Sequence, residues 1–241
     1  MALARAETTG GAILYDPRRI ELPADRDFDP KAIAEAGRVR GQATGRGQVW
    51  FITPRPDAAD GVQWVLRHYR RGGLVARLSR DLYVWAGEAA TRCFAELALL
   101  DYLAGCGIAV PVPVAARYVR TGLCYRADLL TQAIPGVRTL ASICGEGALS
   151  GALASAVGAA VRLLHAQGVW HADLNAHNVL IDFDDRVWLI DFDRARLRAA
   201  GSWSAANLAR LRRSLEKVSA AAGREFPVAA WAALQDGYVG S

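Results

Sequence analysis

The sequence predicts an α+β fold with a β-rich N-terminal lobe and a mainly helical C-terminal lobe. Three observations predict it. Short runs rich in β-branched and aromatic residues recur between Gly41 and Ile134. Beyond residue 135 the longest apolar patterns repeat at helical spacing instead. Between the two regions, Pro135-Gly136 is a strong local break. With 241 residues, 52% of them hydrophobic, the chain can fill one large domain or two coupled lobes.

The elements follow in order. Residues 1–40 are mixed in character, with Pro23 and Pro30 as breakers, and read as an irregular or partly helical lead-in. Residues 41–134 form the N-lobe and 135–241 the C-lobe. Gln48–Ile52 and Val62–Tyr69 read as strands. Residues 88–104 carry Phe94, Leu97, Leu100 and Leu103 at helical spacing. Pro111 and Pro113 then lead into a strand pair, 114–121 and 123–131, joined near Gly122. In the C-lobe, 148–167 reads as a long apolar helix with Val157, Val161 and Leu164 on its inner face. Asn178–Ile181 and Arg186–Ile190 form a short hairpin through Asp184-Asp185, and helices at 203–221 and 227–236 close the chain.

Composition narrows the function classes. The formal net charge of +5 allows an anionic partner without choosing one. The basic residues are almost all arginine, with Lys31 and Lys217 the two lysines. No nucleic-acid-binding motif is present, and the arginines are not interleaved with stacking aromatics, so no nucleic-acid partner is expected. Cys93, Cys106, Cys124 and Cys144 lack the two- or three-residue spacing of a zinc or redox pair and read as free thiols of a reducing compartment. Met1–Ile20 lacks the apolar core of a signal peptide, and no run approaches the roughly 20 apolar residues of a membrane span. The expectation is a cytoplasmic protein whose membrane contact is peripheral.

The chemistry is concentrated in two segments. His171-Ala172-Asp173-Leu174-Asn175-Ala176-His177-Asn178 is followed by Leu189-Ile190-Asp191-Phe192-Asp193. These match the H-x-D-L-x-x-x-N and D-F-G elements of protein kinases, with Asp193 in place of the glycine. The pattern predicts a protein-kinase-like bilobal fold. Phosphoryl transfer needs a carboxylate at the attacking hydroxyl and oxygen ligands for Mg²⁺. Asp173 is therefore expected to be the catalytic base, and Asn178 and Asp191 the metal ligands, with ATP as the phosphoryl donor. Each residue alone would suit an ordinary polar turn; the ordered set, with apolar strands between its parts, points to a site. His171 is expected to hold the loop rather than react. His177 reads as a solvated loop histidine, with substrate contact as the alternative.

Further candidates lie upstream. Gly41, Gly45 and Gly47 form a Gly-rich turn whose backbone N–H groups would approach phosphates. Neither lysine can occupy the usual kinase position on the third strand, so Arg67 takes that role, with Arg70 and Arg71 as competitors. Glu96 is its expected carboxylate partner, and Glu88 the alternative. Residues 72–80 read as a substrate- or membrane-facing insertion. The backbone of Leu130–Ile134, through Gln132 and Ile134, is expected to meet the adenine.

The stretches VLRHYRRGGL, WHADLNAHN and VWLIDFDRARLR together resemble the 3-deoxy-D-manno-octulosonic acid (Kdo) kinases, over roughly residues 40–220. This resemblance implies transfer of the ATP γ-phosphate to the 4-hydroxyl of Kdo on a lipid A precursor, at the cytoplasmic face of a Gram-negative inner membrane. Arginine in place of the kinase lysine, and Asp193, both fit the resemblance. No A-P-E element follows Asp191, which favours a small or glycolipid acceptor over a peptide. Arg194, Arg196, Arg198, Arg210, Arg212 and Arg213 form a basic region suited to lipid A phosphates or an anionic bilayer, at about 1 kcal/mol per residue near such a surface. Any one of them also suits a solvated helix face. The rival readings are a kinase of another acceptor, such as a heptose or an aminoglycoside, and a non-catalytic pseudokinase. The missing lysine motivates the latter; the retained Asp173, Asn178 and Asp191 oppose it.

Overall fold

The computed structural model describes residues 3–44, 48–56, 61–70 and 81–240. Two compact units form, Met1–Tyr102 with Val112–Ala133, and Leu103–Pro111 with Ile134–Ser241.

The first unit is built on an antiparallel sheet. Its strands are β1 (Ala4–Thr8), β2 (Gly11–Tyr15), β3 (Val39–Thr44), β4 (Gln48–Ile52), β5 (Trp64–His68), β6 (Tyr83–Val84), β7 (Pro113–Thr121) and β8 (Cys124–Gln132). The order is β1-β2-β7-β8-β5-β4-β3, with β6 also paired to β8. The opening segment is thus not irregular, because β1 and β2 are regular strands. Gly11–Tyr15 pairs with β1 on one edge and with β7, about a hundred residues later, on the other, and Ala12, Ile13 and Tyr15 are buried. The rest of that segment contains a 3₁₀ turn (Asp25–Phe28) and α1 (Pro30–Glu35), which starts with proline and is capped by Asp29 accepting from the Lys31 N–H. Phe28 and Ile33 pack with Trp64, Leu66, Ile13 and Leu130 in one core cluster. Side chains alternate along a strand, so Arg67 projects from the opposite face to Leu66. It meets α2 (Arg92–Gly105), which begins after a 3₁₀ turn at Glu88–Ala90 rather than at residue 88.

The second unit contains α3 (Leu140–Glu146), α4 (Gly151–Ala166), α5 (Trp203–Ala221) and α6 (Val228–Val239). Thr139 caps α3 and Ser150 caps α4, each side-chain oxygen accepting a backbone N–H of the first turn. Backbones of α4 and α6 approach very closely: a Cβ on Gly158 would lie 2.0 Å from Leu234 O, and one on Gly237 2.0 Å from Ser155 O. Only glycine fits both positions. Short strands β9 (Arg138–Thr139), β10 (Val169–Trp170), β11 (Val179–Ile181), β12 (Val187–Leu189) and β13 (Arg196–Leu197) carry the loops of interest. They pair as β12-β11-β9 and β10-β13. The predicted hairpin is β11–β12, its turn closed by Asp182, which accepts from Asp184 N, Arg186 N and Trp188 Nε1. Among the described residues no helix is long and apolar enough to cross a membrane.

Candidate active site

The segment His171–Asn178 connects β10 to β11 as a loop organised by its own side chains. Asn175 Oδ1 accepts the His177 N–H at 2.8 Å, and its Nδ2 donates to Asp173 O at 3.0 Å. Asn178 Nδ2 donates to the same carbonyl at 2.9 Å. That bond commits the amide nitrogen of Asn178 and leaves Oδ1 as the atom for a ligand.

His171 joins this loop to the next. It is fully buried, at 0% exposure. Nδ1 accepts the Asp173 N–H at 3.2 Å, so Nε2 carries the proton and donates to Ile190 O at 2.9 Å. Its ring lies 4.9 Å from that of Phe192. Burial, the largest cause, pushes its pKa below the ordinary histidine value and keeps the ring neutral. One side chain thus fixes the backbone of Asp173 and the residue before Asp191.

Asp191 sits at the end of that strand connection with φ +65°, a left-handed conformation uncommon outside glycine. Such backbone tends to persist where surrounding structure enforces it, often at functional sites. Ile190 N donates to Asn178 O at 3.0 Å, which ties the two candidate ligand segments together.

Helix α5 clamps the loop from outside. Asn207, buried, donates through Nδ2 to His171 O at 2.7 Å and accepts the His171 N–H at 3.3 Å. Its Oδ1 also accepts from His165 Nε2 at 3.1 Å, leaving His165 Nδ1 to accept from Tyr238 OH at 2.9 Å. One turn on, Arg210 pairs with Asp173 Oδ1. One turn further, Ser214 Oγ accepts the Ala176 N–H at 3.1 Å. Residues at i, i+3 and i+7 share a helix face, so one polar stripe docks the loop at three points.

A metal was expected on Asn178 and Asp191. Among the described residues no group of three or more His, Cys, Asp and Glu is placed to hold one. An amide oxygen and one carboxylate nonetheless suit Mg²⁺, a hard cation commonly held by one or two carboxylates, substrate phosphates and water. The donor chemistry fits.

The first unit carries the other cluster. Arg67 Nη2 lies 2.5 Å from Glu96 Oε2, and Glu96 is 4% exposed. Tyr69 OH donates to the same oxygen at 2.5 Å and accepts from Arg67 at 3.2 Å, while the guanidinium lies 4.7 Å from the Tyr69 ring centre. Burial, the largest cause, raises the Tyr69 pKa well above its usual value, so the phenol stays protonated and donating. Glu88 does not take this role: it pairs with Arg5 at 2.8 Å and accepts from Tyr118 OH at 2.7 Å. Arg70 is exposed, whereas Arg71 and the 72–80 insertion lie outside the described residues. Gly41 sits inside β3 opposite Phe51, and Gly45 and Gly47 lie outside the described residues. Gln132 ends β8 and donates its N–H to Val112 O at 2.8 Å, and Ile134 follows in the second unit.

The profile of the lipopolysaccharide kinase (Kdo/WaaP) family matches residues 31–238. The chain belongs to this family. A 3-deoxy-D-manno-octulosonic acid kinase of Vibrio parahaemolyticus is 44% identical over 205 residues, covering 85% of this chain and 84% of that protein. Proteins of the same name from Photobacterium profundum and Stenotrophomonas maltophilia are 41% identical over 226 residues and 44% over 212. The alignments cover 94% of this chain and 94% of the former, and 86% and 81% for the latter.

In this Kdo/WaaP-family chain, four structural partners escaped sequence reasoning: Tyr69, Asn207, Ser214 and the pairing of Arg210 with Asp173. Tyr69 had a signal, since it follows Arg67 at the two-residue spacing that places both on one strand face. The α5 residues had only their i, i+3, i+7 spacing, which does not say what the face meets.

Proposed function

We propose that the chain is an ATP-dependent kinase that phosphorylates the 4-hydroxyl of Kdo on a lipid A precursor, in assembly of the lipopolysaccharide core. The observation that carries the reaction type is the loop in which His171 holds both Asp173 and the approach to Asp191. The acceptor is taken from the names of relatives at 41–44% identity.

In this reading Asp173 accepts the proton of the attacking hydroxyl. Asn178, through Oδ1, and Asp191 would hold Mg²⁺. Bound there, the ion would neutralise charge on the ATP phosphates. Arg67 contacts the phosphates as a fork of donors, oriented by Glu96 and by stacking on Tyr69. Gly41, Gly45 and Gly47 offer backbone to the same phosphates, and the backbone at Gln132 and Ile134 meets the adenine. In this reading the arginines that follow Asp191 meet the phosphates of the glycolipid or of the anionic bilayer, and their charge supports a peripheral position on the cytoplasmic face of the inner membrane.

The test is incubation with Mg²⁺, γ-labelled ATP and a Kdo-bearing lipid A precursor. Label should enter the glycolipid as a Kdo 4-phosphate. Intact ATP binding without labelled glycolipid would remove this acceptor from the reading.

A further inference from the structure

We propose that Arg210 selects a sugar acid as acceptor: one edge of its guanidinium holds Asp173 while the other binds the acceptor carboxylate. The inference rests on the reading that the acceptor is Kdo, an acid by its name. Three observations lead to it. Arg210 pairs with Asp173 through Nη2, and its side chain is 48% exposed. A guanidinium has five donors in a planar fork, so one carboxylate on one edge leaves a second edge open for another. The Arg210 backbone is also fixed, because Asn207 and Ser214, one turn to either side, are both bonded to the catalytic loop.

The charge arrangement asks for such a group. An acceptor hydroxyl brought to Asp173 brings its own carboxylate with it. Two like charges in a partly desolvated site repel, and a fixed cation touching both removes that penalty. Two neighbouring arginines of the basic region have contacts of their own: Arg198 lies 4.1 Å over the Trp170 ring, and Arg212 pairs with Glu216 at 2.8 Å. Arg210 pairs with Asp173 itself. A neutral sugar would leave its free edge without a partner. Arg210 is therefore a positioning residue for Asp173 and a specificity residue for the acceptor.

The two roles separate in one experiment. Steady-state kinetics are measured for wild type, Arg210→Gln and Arg210→Lys on a Kdo-bearing lipid A precursor and on the same acceptor with the Kdo carboxyl as its methyl ester. Circular dichroism and ATP affinity check the fold of each variant. Wild type is expected to favour the acid on the order of 10- to 100-fold in kcat/KM, the range of a charge-assisted bond. Arg210→Gln should lose kcat on both acceptors and treat them alike, whereas Arg210→Lys should keep part of the preference. If Arg210→Gln retains the wild-type preference, or if wild type uses acid and ester equally, the proposal is overturned. Wild type that labels neither acceptor overturns the functional reading, and this inference with it.

Discussion

Replacing His171 by phenylalanine isolates the two hydrogen bonds that join the His171–Asn178 loop to the Ile190–Asp191 segment. The substitution keeps an aromatic ring against Phe192, 4.9 Å away, and removes both nitrogens. Asp173 N–H then loses its acceptor and Ile190 O loses its donor, in a site where the residue itself is 0% exposed. An unsatisfied buried group costs about 1–3 kcal/mol. Asp173 is partly exposed and Ile190 O keeps a second lone pair, so the total belongs near the low end, about 2–4 kcal/mol. For a chain of this length that corresponds to a fall in Tm of roughly 5–15 °C. Turnover should fall further than stability implies, on the order of 100-fold, because the carboxylates at 173 and 191 lose their common reference. Urea unfolding followed by circular dichroism and label transfer at saturating ATP measure the two effects. A His171→Phe protein with wild-type unfolding midpoint and wild-type turnover would refute the role assigned to the ring.

Three further outcomes are expected. Asp173→Ala should reduce transfer by on the order of 10²–10⁴-fold while leaving the unfolding midpoint nearly unchanged, since its side chain is partly exposed; comparable activity would remove the base assignment. Glu96→Gln, which keeps the shape and removes the charge beside Arg67, should raise the KM for ATP about tenfold and destabilise by about 1–3 kcal/mol; an unchanged KM would mean that Arg67 does not hold the phosphates. Stability should depend on pH through histidines of opposite sign. His171 and His165 have pKa values lowered by burial, so the stability they contribute is present above the unfolded value of about 6.5 and is lost as pH falls toward their folded values. His68 is raised, first by its hydrogen bond to Asp128, so its contribution is full below about pH 6.5 and is lost as pH rises through its folded value. The Tm difference between wild type and His68→Gln should therefore widen from pH 8 to pH 6; a difference independent of pH would contradict the pairing.

What could be read in the sequence was what depends on nearby residues. The β11–β12 hairpin was legible because two short apolar runs, Val179–Ile181 and Val187–Ile190, flank a polar turn that Asp182 closes locally. Helix α5 was legible over its whole length, 203–221, because it carries its own periodicity. By contrast β2 lies between β1 and the distant β7, so that half of its pairing comes from about a hundred residues away, and α3 is seven residues long, too short to show a period. The candidate site divides the same way. Asp173, Asn178 and Asp191 were found because their spacing lies within one loop and one hairpin. Glu96 was separable from Glu88 by its place beside the apolar face of α2, but the competing partner of Glu88, Arg5, lies in a segment that read as irregular. Asn207, Arg210 and Ser214 act on residues some forty positions earlier, and no local pattern announces which helix face meets a loop.

The kinds of group that hold each cluster follow from what each must keep charged. In the second unit the supports of the loop are mostly neutral: His171, held in its uncharged form, and Asn207 are buried, and Asn175 and Ser214 are partly buried. Neutral supports satisfy the loop backbone without the desolvation cost of a buried ion, and they do not spend the charge of the carboxylates they position. An ionic support seen among the described residues, Arg210, is half exposed, where solvent moderates its pull on Asp173 and where a second anion can reach it. In the first unit the logic reverses. Arg67 must remain cationic and hold one orientation on a stem with several rotatable bonds, so a buried carboxylate is the support that fits, and Glu96 is fixed in turn by the Tyr69 hydroxyl. On this argument Arg67→Lys should not restore function even with charge retained, because a single ammonium cannot bond Glu96, stack on Tyr69 and present a flat fork to a phosphate at once.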